Sequence, residues 1–201
     1  MSTLFEEHST YVRDAARIDA YARALDAVVA AGDAVVDLGA GSGVLGLLAY
    51  KAGASRIYVI DEGRMLPVAR AMWAASGKSA SVVLIQGHST RVNLPGRAHV
   101  VVADQMGPMG IEAGLVECFA DARERFLVSG GRCVPSHLEI VLARGMGILV
   151  NHGSSFSCKR RPRYSPALLI GQPSPNYRHH QKGLHKLFSL YNNHIYVIII
   201  A

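Results

Sequence analysis

A glycine turn that follows an acidic strand constrains the fold of this chain more than any other feature. Residues 35–46 consist of an apolar run ending in Asp37, an alternating set of glycines, and an apolar stretch with helical spacing; the glycines are Gly39, Gly41 and Gly43. A strand, a glycine turn and a helix open a cleft at the carboxyl edge of a parallel sheet, where nucleotide-bearing cofactors bind. We therefore expect an α/β fold built on this unit.

The same segment fits two classes of cofactor. Gly41, Gly43 and Gly46 also form the G-x-G-x-x-G pattern of dinucleotide-binding proteins. A dinucleotide would bring its anionic pyrophosphate over this turn, where the carboxylate of Asp37 would repel it. S-adenosylmethionine (SAM) carries a cationic sulfonium and an ammonium group, which the same carboxylate would attract. We therefore predict SAM as the cofactor and keep NAD as the weaker alternative.

A second acidic residue supports an adenosine-type ligand. Residues 56–61 form another apolar run, and it ends in Asp61, about 20 residues after the glycine turn. An acid at the tip of the second strand accepts hydrogen bonds from ribose hydroxyls in proteins of this kind. This position does not distinguish SAM from NAD. The alternative interpretation is that Asp61 caps a helix starting near Glu62.

The remaining apolar runs predict a parallel sheet covered by helices on both faces. Continuous aliphatic strands that alternate with helices are typical of such Rossmann-like sheets. The predicted strands are 34–38, 56–60, 81–86 and 98–103, with a last strand pair at 132–143. The predicted helices are 11–30, 43–52, 64–76 and 113–127.

The charge distribution predicts a change of character near residue 144. Residues 1–139 hold all 15 acidic residues and 13 of the 21 basic ones, a net charge of −2, whereas residues 140–201 hold the other eight, a net charge of +8. One interpretation is a basic arm that contacts RNA or a ribosome. The other is a poorly ordered or aberrant tail never selected to fold. The aliphatic run 195–201, which lacks charged residues, favours the second interpretation.

Further features of the sequence indicate the cellular compartment and exclude some functions. The three cysteines are not spaced as in metal or redox sites, so we expect no metal and a reducing compartment. The aliphatic stretch 195–201 is far shorter than the roughly 20 residues that span a bilayer. Glu6 and Glu7 lie where a signal peptide would be apolar. We therefore expect a cytoplasmic protein that does not bind membranes.

Three segments together resemble the protein arginine N-methyltransferase family. The first is the helical pattern before the glycine turn, His8-x5-Asp14-x2-Arg17-x3-Tyr21, and the second is the glycine motif itself. The third is the segment 101–112, which resembles the family's hairpin of paired acids around a Met-Gly turn. The stretch 130–136 also resembles the family's connection into a β-barrel. The resemblance covers about residues 5–143 and implies a class I SAM-dependent methyltransferase fold.

The resemblance implies roles for particular residues. In the family, the arginine that matches Arg17 binds the SAM carboxylate, and the acids that match Asp104 and Glu112 clamp the substrate guanidinium. We expect Ser89 at the cofactor together with Asp37, Asp61 and the three turn glycines. Some positions depart from the family: Asp104 replaces a glutamate, Gln105 replaces an aromatic residue, and Thr90 replaces a glutamate near the adenine.

Paired carboxylates suit methyl transfer to arginine for a chemical reason. A guanidinium is a poor nucleophile because its charge is delocalised and its pKa is above about 12. Two carboxylates hold it by charge-assisted bonds and localise the positive charge on the nitrogens that are not attacked. The plainer alternatives are that Asp104 caps a turn and that Glu112 is an acid in the first turn of a helix.

Together these features predict three segments and one principal function. Residues 1–30 form a helical lid over SAM, residues 31–143 form the SAM-binding domain, and residues 144–201 form the basic tail. The principal function is methyl transfer to arginine in a protein or peptide; a nucleic-acid partner is not favoured. A dimer is not expected, since nothing after residue 144 resembles the family's barrel and dimerisation arm. The alternatives are another acceptor (a ribosomal protein, RNA or a small molecule) and a SAM-binding remnant with impaired catalysis.

Overall fold

The computed structural model describes residues 2–105, 114–136, 139–144, 150–152, 155–157, 185–189 and 195–200. The helices in this part of the chain are α1 (Ser2–Arg13), α2 (Ala15–Val28), α3 (Val44–Lys51), α4 (Leu66–Ala75) and α5 (Leu115–Arg125). The first five strands are β1 (Ala34–Leu38), β2 (Arg56–Asp61), β3 (Val82–Gln86), β4 (Ala98–Ala103) and β5 (Leu127–Val134). Short 3-10 turns occupy Ser79–Ser81 and Ser89–Arg91.

The first five strands form one parallel sheet in the order β3-β2-β1-β4-β5. The chain winds outward from β1 to β3 and then returns to the other side of β1 with β4. The strand order therefore reverses between β1 and β4, and ligands of open α/β sheets bind at the carboxyl ends of the strands at such a reversal. The predicted Rossmann-like fold is confirmed.

The sheet is held by strands that are apolar on both faces. The β1 residues Val35, Val36 and Leu38 are fully buried, as are Ile57 and Val59 of β2. Burial on both faces explains why these strands are continuous aliphatic runs rather than alternating patterns. The largest buried side chains, Trp73 of α4 and Phe126 after α5, pack in the same unit.

The chain divides into two compact units. One comprises Met1–Gln105 with Ala113–Pro135, and the other comprises Met106–Glu112 with Ser136–Ala201. In the second unit, β10 (Ile195–Ile200) pairs antiparallel with β6 (Glu139–Arg144) and with β9 (His185–Ser189). The strands β7 (Val150–His152) and β8 (Ser155–Ser157) form a separate antiparallel pair. The predicted three-segment division, including a poorly ordered tail, stays a prediction.

The largest differences between the predicted and the observed element boundaries occur in two places. The helix predicted over 11–30 is the shorter α2, and a separate helix α1 precedes it. The break falls at Asp14, whose side chain accepts a hydrogen bond from the backbone N–H of Arg17 at 3.1 Å and so caps α2. The predicted strand pair at 132–143 corresponds to β5 of the parallel sheet and β6 of the antiparallel one.

A polar cluster ties α2 to the amino ends of the strands. Asp33 is buried, and its Oδ2 accepts hydrogen bonds from the N–H of Ala30 at 2.9 Å and from Arg132 Nη2 at 2.6 Å. Arg132 also donates to the carbonyl of Val28, the last residue of α2. This cluster lies at the sheet edge opposite the glycine turn, so it serves the stability of the fold.

Replacement of Asp33 by Ala is therefore expected to lower the free energy of unfolding by about 1–3 kcal/mol, because a half-exposed guanidinium and a backbone N–H lose their charged acceptor. Urea denaturation measures this change. Asp26, exposed on α2, is the matched control, and its replacement by Ala should change the same quantity by less than about 0.5 kcal/mol. Equal effects of the two substitutions would contradict the assignment.

Candidate functional site

The glycine turn connects β1 to α3 at the carboxyl edge of the sheet. Gly39, Gly41 and Gly43 have φ values of +58°, +53° and +76°, and α3 begins at the next residue, Val44. These left-handed conformations are unfavourable for residues that carry a Cβ atom. The turn predicted from the glycine spacing is thus present, and its backbone conformation explains why glycines occupy these positions.

Asp37 lies beneath this turn and is fully buried. Its Oδ2 accepts a hydrogen bond from the N–H of Gly46 at 2.8 Å, whereas Oδ1 has no partner among the described residues. Burial raises the pKa of Asp37 to about 7; the hydrogen bond from Gly46 acts in the opposite direction, and the nearby Asp61 raises the pKa further. The Asp37 carboxyl is therefore partly protonated near pH 7, and a cation bound nearby would favour its ionised form.

Gly46 is required by packing. A Cβ atom at this position would lie 2.9 Å from Ile57 Cγ2 and 3.3 Å from Asp37 Oδ2. The glycine thus allows α3 to pack closely against β2 and above the Asp37 carboxyl. The third glycine of dinucleotide-binding sites has the same packing role, so Gly46 does not distinguish the two classes of cofactor.

Asp61 lies at the carboxyl end of β2 and holds two turns together. Its Oδ2 accepts a hydrogen bond from the N–H of Gly41 at 2.8 Å, and its Oδ1 accepts one from the N–H of Gly63 at 2.7 Å. A carboxylate offers about four acceptor positions, so two remain for the hydroxyls of a ribose. The alternative role as a helix cap is wrong, because α4 begins at Leu66 and has no side-chain cap.

The N-terminal pattern of the sequence brings its residues to the same edge of the sheet. A Cβ atom at Gly41 would lie 2.6 Å from His8 Cε1, so α1 covers the glycine turn. Arg17, in the first turn of α2, lies 4.5 Å above the Tyr11 ring and forms an ion pair with Asp104. The Tyr21 hydroxyl donates to the carbonyl of Ala103 at 3.0 Å, which fixes α2 against the end of β4.

The residues after β4 fill the space above the turn. Asp104 directly follows the strand, and its carboxylate pairs with Arg17, whose own pKa is lowered by burial. A Cβ atom at Gly39 would lie 1.8 Å from Gln105 Nε2, so the Gln105 amide rests on that glycine, and its Oε1 is buried without a partner in the described part of the chain. The sequence identified Gln105 only as a departure from the family and did not indicate that it lies against Gly39.

Ser89 is buried in the 3-10 turn after β3, on the far side of β2 from Asp104. Thr90 in the same turn donates its N–H to the His88 ring and also pairs with it through its hydroxyl. The structure therefore brings Arg17, Asp37, the turn glycines, Asp61, Ser89 and Asp104 to one edge of the sheet. Glu112 lies outside the described residues.

The described residues include neither a membrane-spanning helix nor a metal-binding cluster. In that part of the chain, no helix is long and apolar enough to cross a membrane. The same residues include no group of three or more histidines, cysteines or acids that could hold a metal ion.

Comparison with known proteins identifies the family of this chain. The family model described as ribosomal protein L11 methyltransferase (PrmA) matches residues 21–136, more than half of the chain. The chain belongs to this methyltransferase family. The matched region includes the glycine turn, Asp37, Asp61, Ser89 and Asp104, whereas Arg17 precedes it.

The relatives of this methyltransferase confirm the resemblance to protein arginine methyltransferases. A probable protein arginine N-methyltransferase 6 of Arabidopsis thaliana is 30% identical over 138 residues, which are 68% of this chain and 32% of the relative. Protein arginine N-methyltransferase 1 of Dictyostelium discoideum is 29% identical over 141 residues, 69% of this chain and 41% of that one. The chain thus spans about a third to two fifths of the length of these curated relatives.

A solved structure shows the same relationship in three dimensions. The structure of Arabidopsis thaliana protein arginine methyltransferase 10 superposes with a TM-score of 0.64 at 29% identity. The match covers 68% of this methyltransferase and 40% of the solved chain. Sequence and fold therefore agree on the same group of relatives.

Proposed function

We propose that this methyltransferase binds SAM along the carboxyl edge of its parallel sheet. The buried carboxyl of Asp37 has one oxygen with no partner in the described part of the chain, so it fits a cationic cofactor and disfavours an anionic pyrophosphate. Arg17 of α2, which pairs with Asp104 beside the end of β4, binds the SAM carboxylate. Asp61 at the end of β2 accepts from the ribose hydroxyls, and Ser89 after β3 faces the adenine. When bound, SAM supplies a methyl group on a sulfonium.

We further propose that the methyl acceptor is an arginine guanidinium of a protein substrate. The observation that supports this most directly is the place of Asp104: its carboxylate follows β4 at the same edge of the sheet as the glycine turn, and it pairs with the guanidinium of the chain's own Arg17. Asp104 and Glu112 would hold the substrate guanidinium and localise its positive charge. Transfer of that methyl group to a guanidinium nitrogen, with loss of one proton from the nitrogen, would give methylarginine and S-adenosylhomocysteine (SAH).

One observation favours a second acceptor. The matching family model is described by a ribosomal protein substrate, and Gln105 stands where the arginine methyltransferases usually have an aromatic residue. A ribosomal protein is therefore the alternative acceptor. The two free thiols in the described part, Cys118 and Cys133, support a reducing, cytoplasmic location for either function.

The cofactor assignment predicts the effect of one substitution. Replacement of Asp61 by Ala is expected to weaken SAH binding by about 1–3 kcal/mol, because two ribose hydroxyls lose their acceptor and Gly41 loses its anchor. Titration calorimetry with SAM, SAH and NADH measures the affinities of the wild type and the variant. Unchanged SAH affinity in the variant would remove Asp61 from the site, and binding of NADH without SAM would overturn the cofactor.

A further inference from the structure

Arg125, at the end of α5, makes an unusually complete set of contacts. Its Nε and Nη2 donate to the two carboxylate oxygens of Asp121 at 2.7 and 2.6 Å. The same guanidinium donates to the carbonyl of Ser89 at 2.6 Å and to the carbonyl of Val92 at 2.7 Å. Its Cζ also lies 4.6 Å from the centre of the Phe126 ring. These four hydrogen bonds and the contact with the Phe126 ring fix the orientation of the Arg125 guanidinium.

The two carbonyls bracket the 3-10 turn Ser89–Arg91. This turn follows β3, whose carboxyl end lies beside that of β2, where Asp61 is placed. The N–H of Gly87 donates to the backbone carbonyl of Asp61 at 3.0 Å, which joins the start of this loop to the proposed ribose site. On the proposed function, a SAM molecule whose carboxylate end lies at β4 and whose ribose lies at β2 places its adenine against the turn after β3.

We propose that Arg125 is a positioning residue for the adenine end of the cofactor site. It does not contact the cofactor. It fixes the two ends of the Ser89–Arg91 turn and thereby the backbone that lies next to the adenine. The planar fork of arginine can bind a carboxylate and two carbonyls at once, whereas lysine presents a single ammonium that cannot span them. Asp121 orients the Arg125 guanidinium, so it is a positioning residue for the same turn. This inference rests on the proposed SAM site.

The test compares ligands with and without the adenine. SAH and S-ribosylhomocysteine, which lacks the base, are titrated into wild-type protein, R125K, R125A and D121N. We expect R125A to bind SAH at least about tenfold more weakly, with R125K and D121N affected in the same direction, because an anchored loop becomes mobile. The affinity for S-ribosylhomocysteine, measured by calorimetric displacement, should stay within about twofold in every variant.

Arg97 provides the matched control. It also donates to backbone carbonyls near the end of α5, those of Glu124 and Leu127 at 3.1 and 2.6 Å, but it lies at the amino end of β4. R97A should leave both affinities unchanged, and urea denaturation reports the stability of each folded variant. Unchanged SAH affinity in R125A and R125K, or an equal loss for both ligands, would overturn the role of Arg125. Failure of the wild type to bind SAH would instead overturn the proposed function.

Discussion

Replacement of Glu112 by Gln is expected to lower the rate of methyl transfer to an arginine peptide by about 10²–10³-fold. The substitution keeps the size of the side chain and removes the charge that would hold the guanidinium, and the loss of one positioned electrostatic group commonly has an effect of this size. SAM affinity should stay within about tenfold, because the proposed role involves the acceptor and not the cofactor. Single-turnover transfer of a labelled methyl group, combined with calorimetry, separates the two effects.

Asp104 offers the companion variant. Asp104→Glu restores the longer acid typical of the arginine methyltransferases and should preserve or raise the rate. Its carboxylate can still pair with Arg17, so the contact observed at the end of β4 is retained. If Glu112→Gln transfers the methyl group as fast as the wild type, Glu112 does not hold the acceptor, and the acceptor is not an arginine held by paired carboxylates.

The buried carboxyl of Asp37 gives the largest expected effect on stability. Its pKa in the folded protein is about 7, whereas an unfolded aspartate titrates near about 4. Between these values the folded state retains a proton that the unfolded state has released. The stability this proton contributes is therefore present below about pH 4 and is lost as the pH rises to about 7, at up to about 1.4 kcal/mol per pH unit.

Replacement of Asp37 by Asn should remove this dependence, because Asn is neutral at every pH and its oxygen can still accept the Gly46 N–H. Urea denaturation of both proteins at pH 5 and pH 7.5 measures the change. The wild type should lose roughly 2–3 kcal/mol more than the variant over this interval. If the free energy of unfolding changed equally with pH in both proteins, Asp37 would be ionised in the folded protein over the whole interval.

The sequence was sufficient to predict the parallel sheet and the glycine turn because both depend on local patterns. The predicted strand 98–103 coincides with β4, since an aliphatic run buried on both faces has few other structures available. The glycines at positive φ mark a turn that other residues disfavour. The resemblance of the N-terminal pattern to the arginine methyltransferases also implied a place for Arg17 near the site.

Contacts between distant segments could not be predicted in the same way. The ion pair of Arg17 with Asp104 and the packing of Gln105 on Gly39 depend on how the end of β4 meets α2 and the turn. The i,i+4 spacing of Asp121 and Arg125 indicates a surface ion pair, but the two carbonyls that Arg125 also binds come from a loop more than 30 residues earlier. Only the tertiary structure brings these groups together.

The most direct test of the account is the identity of the methylated atom. The purified chain is incubated with SAM labelled in the methyl group and with arginine-rich peptides, ribosomes and RNA, and the products are digested and analysed by mass spectrometry. We predict label on the guanidinium nitrogens of arginine, incorporated about 10²–10³-fold more slowly by Glu112→Gln. Label confined to RNA, or to amines of ribosomal proteins, would contradict the arginine acceptor, and no labelled product in any of them would contradict its activity as a methyltransferase.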